Sequence, residues 1–402
     1  MKMKKFGSIF LATTMLAGVL AGCGGDDGGS SSDGDSGSSS SGSETIKIGG
    51  NLELSGGVSS YGESINDGAE LAVKEINADG GINGKKIEYI PKDNKSDAAE
   101  ATAVAINLAT QEKVVAMVAP ATSGNTQATV QIANDNKIPI VTGSGTNERI
   151  TVNEDGSVNE YAFRTCFIDP FQGIVAANFA TNEIKAKNVA IFIDASSDYS
   201  KGLAAAFKEQ LAKNGGTVVA EESYVKGDVD FKSTLTNIKG KNPDFVFIPG
   251  YYEETGLIVK QARELGITVP LMGADGWDSP TLLDLAGKEA LNNTFITNHY
   301  SSNDPDETIQ KFVKAFEAEY SKQPNAFHAL GYDTIYFLAD AIERAGDEVT
   351  GEAIAKALAA TKDLGLITGT FTVDDKHNPV KSATVLEYVD GAQEFKTKVD
   401  PQ

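Results

Sequence analysis

From residue 45 onward, short runs rich in β-branched and aromatic residues alternate with longer runs whose apolar residues recur at helical spacing. Thr45 to Gly50 reads as a first strand, and Ile65, Ala69, Ala72, Val73 and Ile76 mark one face of the helix that follows Tyr61. Gly80 and Gly81 stop that helix, and Asn83-Gly84 makes a tight turn into a second strand at Lys86 to Ile90. The pattern goes on with a helix from Asp97, a strand at Val114 to Val118, a helix from Ser123 and a strand at Ile138 to Thr142. Strand, helix, strand in series requires right-handed crossovers, so the sheet is parallel with helices on its faces.

A second series of similar size starts after Phe163 to Asp169. It predicts strands at Val189–Ile193, Thr217–Tyr224, Phe245–Ile248 and Val269–Met272, separated by helices, then helices near 306–321 and 327–345. The tail from Gly369 to Val389 returns to strand alternation, with Asn378-Pro379 as a turn. The fold class expected is α/β with two successive doubly wound parallel sheets, in line with two or three domains at about 150 residues each.

Residues 1–22 carry Lys2, Lys4 and Lys5, an uncharged apolar run from Phe6 to Leu20, and then Ala21-Gly22-Cys23. The run is short for a membrane span. Small residues directly before a cysteine resemble a bacterial lipoprotein signal, which implies cleavage after Gly22 and lipidation of Cys23. Residues 23–43, rich in Gly, Ser and Asp, hold no large apolar side chain and are expected to be a flexible tether. The lipid would then be the sole membrane anchor.

The formal charge of −21, more negative still without the three lysines, argues against nucleic-acid or anionic-membrane partners. Apart from Cys23 only Cys166 is present, so no internal disulfide is expected, and Cys166 reads as a small buried hydrophobe. His299, His328 and His377 are scattered without metal spacing, and no nucleophile elbow or nucleotide loop occurs. No catalytic residue, metal or cofactor is expected.

Parallel sheets bind ligands where strand ends lead into helix N-termini. The loops of that kind are 55–62, 119–126, 143–146, 194–202, 249–252 and 273–277, all rich in small or hydroxylic residues. Ser123 and Thr146 are equally well placed as helix caps, Asp275 as a turn residue, and Tyr251 and Trp277 as rim aromatics.

In this order the segments SGGVSSYGES (55–64), EINADGGINGKKIE (75–88), TSGNTQA (122–128), FRTCFIDPFQG (163–173), DYSKGLA (198–204), PGYYEETG (249–256) and GADGWDSP (273–280) resemble the Leu/Ile/Val-binding family of ABC transporters. The resemblance spans about 45 to 390 and implies the type I periplasmic binding fold: two lobes joined by three crossovers that close on a ligand. The crossovers are expected near Ile168–Gly173, Asn298–Ser302 and Gly365–Thr370, with lobe one at 44–168 plus 300–366 and lobe two at 169–299 plus 367–402.

Carried over by motif, Ser123, with Thr122 beside it, would take a ligand carboxylate. Thr146 would bind through its hydroxyl and amide, and Ser144 would offer its carbonyl to an ammonium group. Asp275 would neutralise that ammonium beside Tyr251, and Tyr61, Tyr199, Phe167 and Trp277 would line the side-chain pocket. The family commonly has glutamate where this chain has Asp275, one methylene shorter. The disulfide of its enteric members falls here at Lys95 and Thr122. The implied function is that of a monomeric extracytoplasmic receptor delivering an amino acid to ABC permease subunits. The same fold with a short amide, urea or an aromatic acid as ligand is one alternative, and a surface α/β enzyme is another.

Overall fold

The computed structural model describes residues 45–400; the signal segment, Cys23 and the tether lie outside the described residues. The first series is β1 (Ile46–Leu52), α1 (Ser59–Ala78), β2 (Ile87–Asp93), α2 (Ala98–Asn107), β3 (Ala116–Ala119), α3 (Ser123–Asn136), β4 (Ile140–Thr142) and β5 (Ala162–Arg164). Its strands pair in parallel in the order β2-β1-β3-β4-β5. The Asn83-Gly84 turn forms as expected, with positive φ at both residues and Ile82 bridging Lys85.

The second series is α4 (Asp169–Asn182), β6 (Asn188–Asp194), α5 (Asp198–Lys213), β7 (Thr217–Tyr224), α6 (Lys232–Gly240), β8 (Phe245–Phe247), α7 (Tyr252–Glu264), β9 (Leu271–Gly273), α8 (Pro280–Ala286), α9 (Lys288–Leu291) and β10 (Thr294–Asn298). The chain then runs through α10 (Glu307–Tyr320), α11 (Ala326–Ala345), α12 (Gly351–Ala359), β11 (Leu364–Leu366), β12 (Gly369–Val373), β13 (Pro379–Val380), β14 (Ala383–Val389) and β15 (Ala392–Val399). The second sheet has the order β15-β14-β10-β9-β8-β6-β7, parallel from β7 to β10 and antiparallel at β14 and β15.

In both sheets the strand order reverses beside the first strand of the series. The reversal lies between β1 and β3 in one sheet and around β6 and β8 in the other. Crevices at such reversals, at the carboxyl ends of the strands, are where parallel sheets hold ligands. The loops leaving β1, β3, β4, β6, β8 and β9 carry the candidate residues toward these points.

Helices α1 and α11 pack backbone to backbone on the first sheet. A Cβ at Gly68 would lie 1.9 Å from the His328 carbonyl oxygen, and one at Gly331 would lie 2.2 Å from that of Ile65, so neither position has room for a side chain. This close crossing sets the rings of Tyr61 and Phe327 face to face at 4.4 Å.

The chain passes between the sheets after β5, after β10 and between β13 and β14. The last passage is later than the Gly365–Thr370 segment expected for it. Strands β11 to β13 form their own antiparallel sheet and pack on the first half: Phe371 meets Phe337 edge-on, and His377 stacks on Phe163 at 4.1 Å. Residues 367–380, expected with the second sheet, therefore side with the first, because their apolar faces are buried against α11 and β5.

Lys381 sits on this last passage, buried. Its ammonium donates to the Thr165 carbonyl and to the Thr368 hydroxyl, which in turn donates to Asp333 at 2.6 Å. Burial pulls Lys381 down to about 8, the charge of Asp333 opposing it. Between that value and the ordinary 10.5 the unfolded chain holds a proton that the folded one has released, so stability rises with pH across the window and falls as pH drops through 8. In urea unfolding, wild type should gain roughly 3 kcal/mol over Lys381→Met between pH 7.5 and 10.5. Parallel pH profiles for the two proteins would contradict this.

Candidate functional site

Nine residues from both halves line a narrow cleft, with about 10 Å³ of cavity volume between them. The first half gives Tyr61, Ala121, Ser123, Ser144 and Phe327, and the second gives Tyr199, Tyr251, Asp275 and Gly276. Six of the ten ligand-site positions picked from sequence thus meet at one place. They are spread over more than two hundred residues of chain, from Tyr61 to Asp275, and the two strand-order reversals are what bring them together.

The floor on the second half is Asp275, 2% exposed, at the start of the turn after β9. Its Oδ1 accepts from Tyr199 Oη at 2.6 Å, from Gln172 Nε2 at 3.0 Å and from the Gly276 N–H at 3.1 Å. Its Oδ2 faces His299 Nε2 at 3.1 Å. Gln172 is itself fixed, since its Oε1 accepts from the Asp275 N–H at 2.8 Å and from the Thr297 hydroxyl at 2.5 Å. Every partner donates to Asp275, which is the environment of an ionised, acceptor-only carboxylate. Among the described residues no lysine or arginine donates to it, and burial outweighs the Asp275 hydrogen bond to hold His299 below the ordinary histidine range. Asp275 therefore stands as a buried anion with neutral donors alone, a costly state that a cation entering the cavity would relieve.

The walls are phenolic. Tyr199 and Tyr251 stack in parallel at 5.0 Å, and Tyr61 meets Tyr251 edge-on at 5.8 Å. Burial pushes all three hydroxyls well above the ordinary tyrosine value, so they remain donors. Tyr61 also ties the halves together: its hydroxyl donates to the Gly276 carbonyl and accepts from the Tyr252 N–H at 3.2 Å.

On the first half Ser123 opens α3. Its hydroxyl accepts from the Asn147 N–H at 3.2 Å, and the Ser144 hydroxyl donates to the Ala121 carbonyl at 2.8 Å. The loop is held from behind by Glu53, fully buried at the end of β1. Its carboxylate accepts from the Ala121 and Thr122 N–H groups at 2.8 and 3.2 Å, from Thr122 Oγ1 at 3.0 Å and from Asn125 Nδ2 at 2.8 Å. A carboxylate near the start of a helix is favoured by the exposed N–H groups and the dipole.

Four expected ligand residues fall elsewhere. Thr122 spends its hydroxyl on Glu53 and points away from the cavity. Thr146 is fully buried behind the loop, its hydroxyl turned to the Asp169 carboxyl, and is not on the cavity wall. Trp277 lies beneath the second sheet with Nε1 donating to the Ile248 carbonyl at 3.1 Å. A Cβ at Gly273 would lie 2.2 Å from the indole, so the ring fills the space that glycine leaves. Phe167 stacks on the far face of His299 at 3.8 Å and lines a separate apolar groove at the passage between the halves. Cys166 is buried as expected, its thiol pushed up to about 12 by burial and donating to the Gly145 carbonyl.

Glu53, Gln172, His299 and Phe327 were missed. The first three lie at a strand end, in the first turn of a helix and just after a strand; Gln172 falls within the 163–173 motif but was given no role, and Glu53 and His299 lie in none of the quoted segments. Phe327 stands at the start of the helix expected near 327–345 and was given no role there. Asn325, two residues before it, caps α11 in a reciprocal capping box with His328 and fixes where Phe327 stands.

The sequence matches the family described as periplasmic binding protein across residues 45–393. A Leu/Ile/Val-binding protein, BraC3, of Rhizobium johnstonii is 33% identical over 328 residues, covering 81% of this chain and 87% of the relative. The branched-chain amino acid transporter substrate binding protein LivJ of Streptococcus pneumoniae, solved with isoleucine, is 40% identical with a TM-score of 0.84. That match covers 89% of this chain and all of the other. A solute binding protein of an ABC transporter from R. palustris, solved with benzoate, is 25% identical with a TM-score of 0.80, covering 89% and 97% of the two chains.

Replacing Glu53 by Gln sets an amide NH₂ against a donor already in place, so urea unfolding should show a loss of about 1–3 kcal/mol. An unchanged midpoint and slope would mean that Glu53 does not hold the 121–125 loop.

Proposed function

The chain belongs to the periplasmic binding protein family, and from that membership we propose that it is the extracytoplasmic solute receptor of an ABC importer, holding an α-amino acid with a branched apolar side chain between its halves. One observation carries the choice of ligand: Asp275 lines the cleft between the halves as a carboxylate whose donors are all neutral. The ammonium group of a zwitterion supplies the missing charge. The ligand carboxylate goes to Ser123 and the N–H groups at the start of α3, with Ser144 alongside, and Tyr61, Tyr199, Tyr251 and Phe327 take the apolar side chain. Thr146 and Thr122 act one layer behind, and Trp277 and Phe167 support the floor.

The relatives supply the class of ligand. LivJ of Streptococcus pneumoniae was solved with isoleucine and the R. palustris protein with benzoate. An aromatic acid suits the phenolic walls, but it brings a second negative charge toward Asp275 and leaves the first unpaired. The zwitterion satisfies both ends.

The receptor works by hinge closure about the three passages. Tyr252 Oη donating to the Gly57 carbonyl at 3.0 Å and the Ser60 and Ser279 hydroxyls 2.7 Å apart hold the rims together beside the cavity. A ligand that touches both halves favours this closed form by its differential affinity. It makes no covalent bond, and the permease reads the closed outline. Cleavage before Cys23 and its lipidation would tether a monomer to the membrane through residues 23–43.

A thermal-shift screen of residues 44–402, unfolded and refolded to strip any carried ligand, tests the assignment against the common amino acids, urea, short amides and benzoate. At 1,000 times its dissociation constant a true ligand adds about 4 kcal/mol. Shifts confined to leucine, isoleucine, valine and close analogues are expected; a shift with benzoate and none with any amino acid would overturn the reading.

A further inference from the structure

Asp275 Oδ1 is saturated by three donors, whereas Oδ2 accepts from His299 alone. With about two lone-pair directions on each carboxylate oxygen, Oδ2 retains one acceptor site. His299 thus holds the one oxygen of Asp275 that still has an open acceptor site.

The imidazole is held on every side. It lies on the passage after β10, 3% exposed, with its ring stacked on Phe167 at 3.8 Å and 20° between planes. The backbone N–H of His299 donates to Asn298 Oδ1 at 2.8 Å, which fixes the main chain that carries the ring. An Nε2–H donating to Oδ2 is the tautomer that matches an Asp275 carboxylate. Nδ1 is buried with no partner; a proton there would be an orphan donor, so the ring is neutral and of the Nε2–H tautomer. Burial works in the same direction, and so does the positive charge of Lys381, while Asp275 and Asp278 oppose it.

A neutral donor and a cationic one differ in what they leave behind. Lysine or arginine in this place would pair with Asp275 and cancel its charge, whereas imidazole orients the carboxylate and leaves the charge in the cavity. We propose that His299 is a positioning residue which, as a neutral Nε2–H donor, aims Asp275 at the ligand's nitrogen and so sets the preference for ammonium-bearing ligands over neutral counterparts. The proposal rests on the amino-acid reading above.

Titration calorimetry with L-leucine and L-isoleucine, and with the 2-hydroxy acids that carry hydroxyl in place of ammonium, separates this role from a general packing one. His299→Gln keeps an N–H donor at similar reach and should stay within about threefold of wild type for the amino acids. His299→Leu removes the donor and should weaken amino-acid binding by about tenfold or more, while hydroxy-acid binding moves less than about threefold. Equal losses for both ligand classes, or an unchanged ratio, would overturn the proposal.

Nitrogen NMR of the wild-type histidines, which does not depend on a variant folding, should show His299 with a protonated Nε2 and a bare Nδ1, with and without L-isoleucine. An imidazolium or an Nδ1–H tautomer would also overturn it. Failure of wild type to bind any α-amino acid would remove the receptor reading itself, and that failure is seen before any variant is made.

Discussion

The hydrogen bonds that converge on Asp275 organise the binding region. Gln172 comes from α4, Tyr199 from α5, Gly276 from the turn after β9 and His299 from the passage after β10. One carboxylate therefore fixes two helices, a turn and a connecting segment with respect to one another. Buried charge without a cation is among the costlier arrangements in a protein interior, and here it persists because four neutral donors share it. What it gives in return is a fixed negative charge at a buried point of the cleft, where the proposed ligand's ammonium group would gain more than it would at the surface.

The first half answers with fixed donors rather than a counter-charge. Glu53 takes up the N–H groups of Ala121 and Thr122, and in the proposed reading the first turn of α3, opened by Ser123, is left for the carboxyl end of a ligand. Between the two ends stand Tyr61 and Phe327, set by the close crossing of α1 and α11. Tyr61 is buried in the closed arrangement and bonded to Gly276 and Tyr252 across the cleft. The same ring that would touch the ligand thus also reports closure, coupling the two through one side chain.

The alternation of strands and helices made the two parallel sheets legible, because period and turn chemistry are local. Gly80-Gly81 and Asn83-Gly84 ended and turned the chain where they were read to. Short elements were less legible: α8, α9 and α12 carry too few turns for a clear apolar stripe. The third passage was misplaced because the strand alternation from Gly369 shows which residues are extended and not which half they pack on. At the site, residues exposed on strand-end loops were found by composition. Those whose role depends on what lies behind them were not. Trp277 and Phe167 read as pocket aromatics, yet the gap left by Gly273 and the ring of His299 claim them. Glu53, Gln172 and His299 work through hydrogen bonds to residues 68 to 103 positions away, or to Asp275 from another element, and no local pattern marks such partners.

Binding of L-leucine and L-isoleucine by Asp275→Asn tests the central claim most directly. The amide keeps the shape of the carboxylate and removes its charge. If the ligand's ammonium supplies the countercharge to Asp275, affinity for these zwitterions should fall by about 100-fold or more while the variant still unfolds cooperatively. Undiminished affinity in a folded Asp275→Asn protein would contradict the account, since the ligand would then be held without the charge around which the site is built.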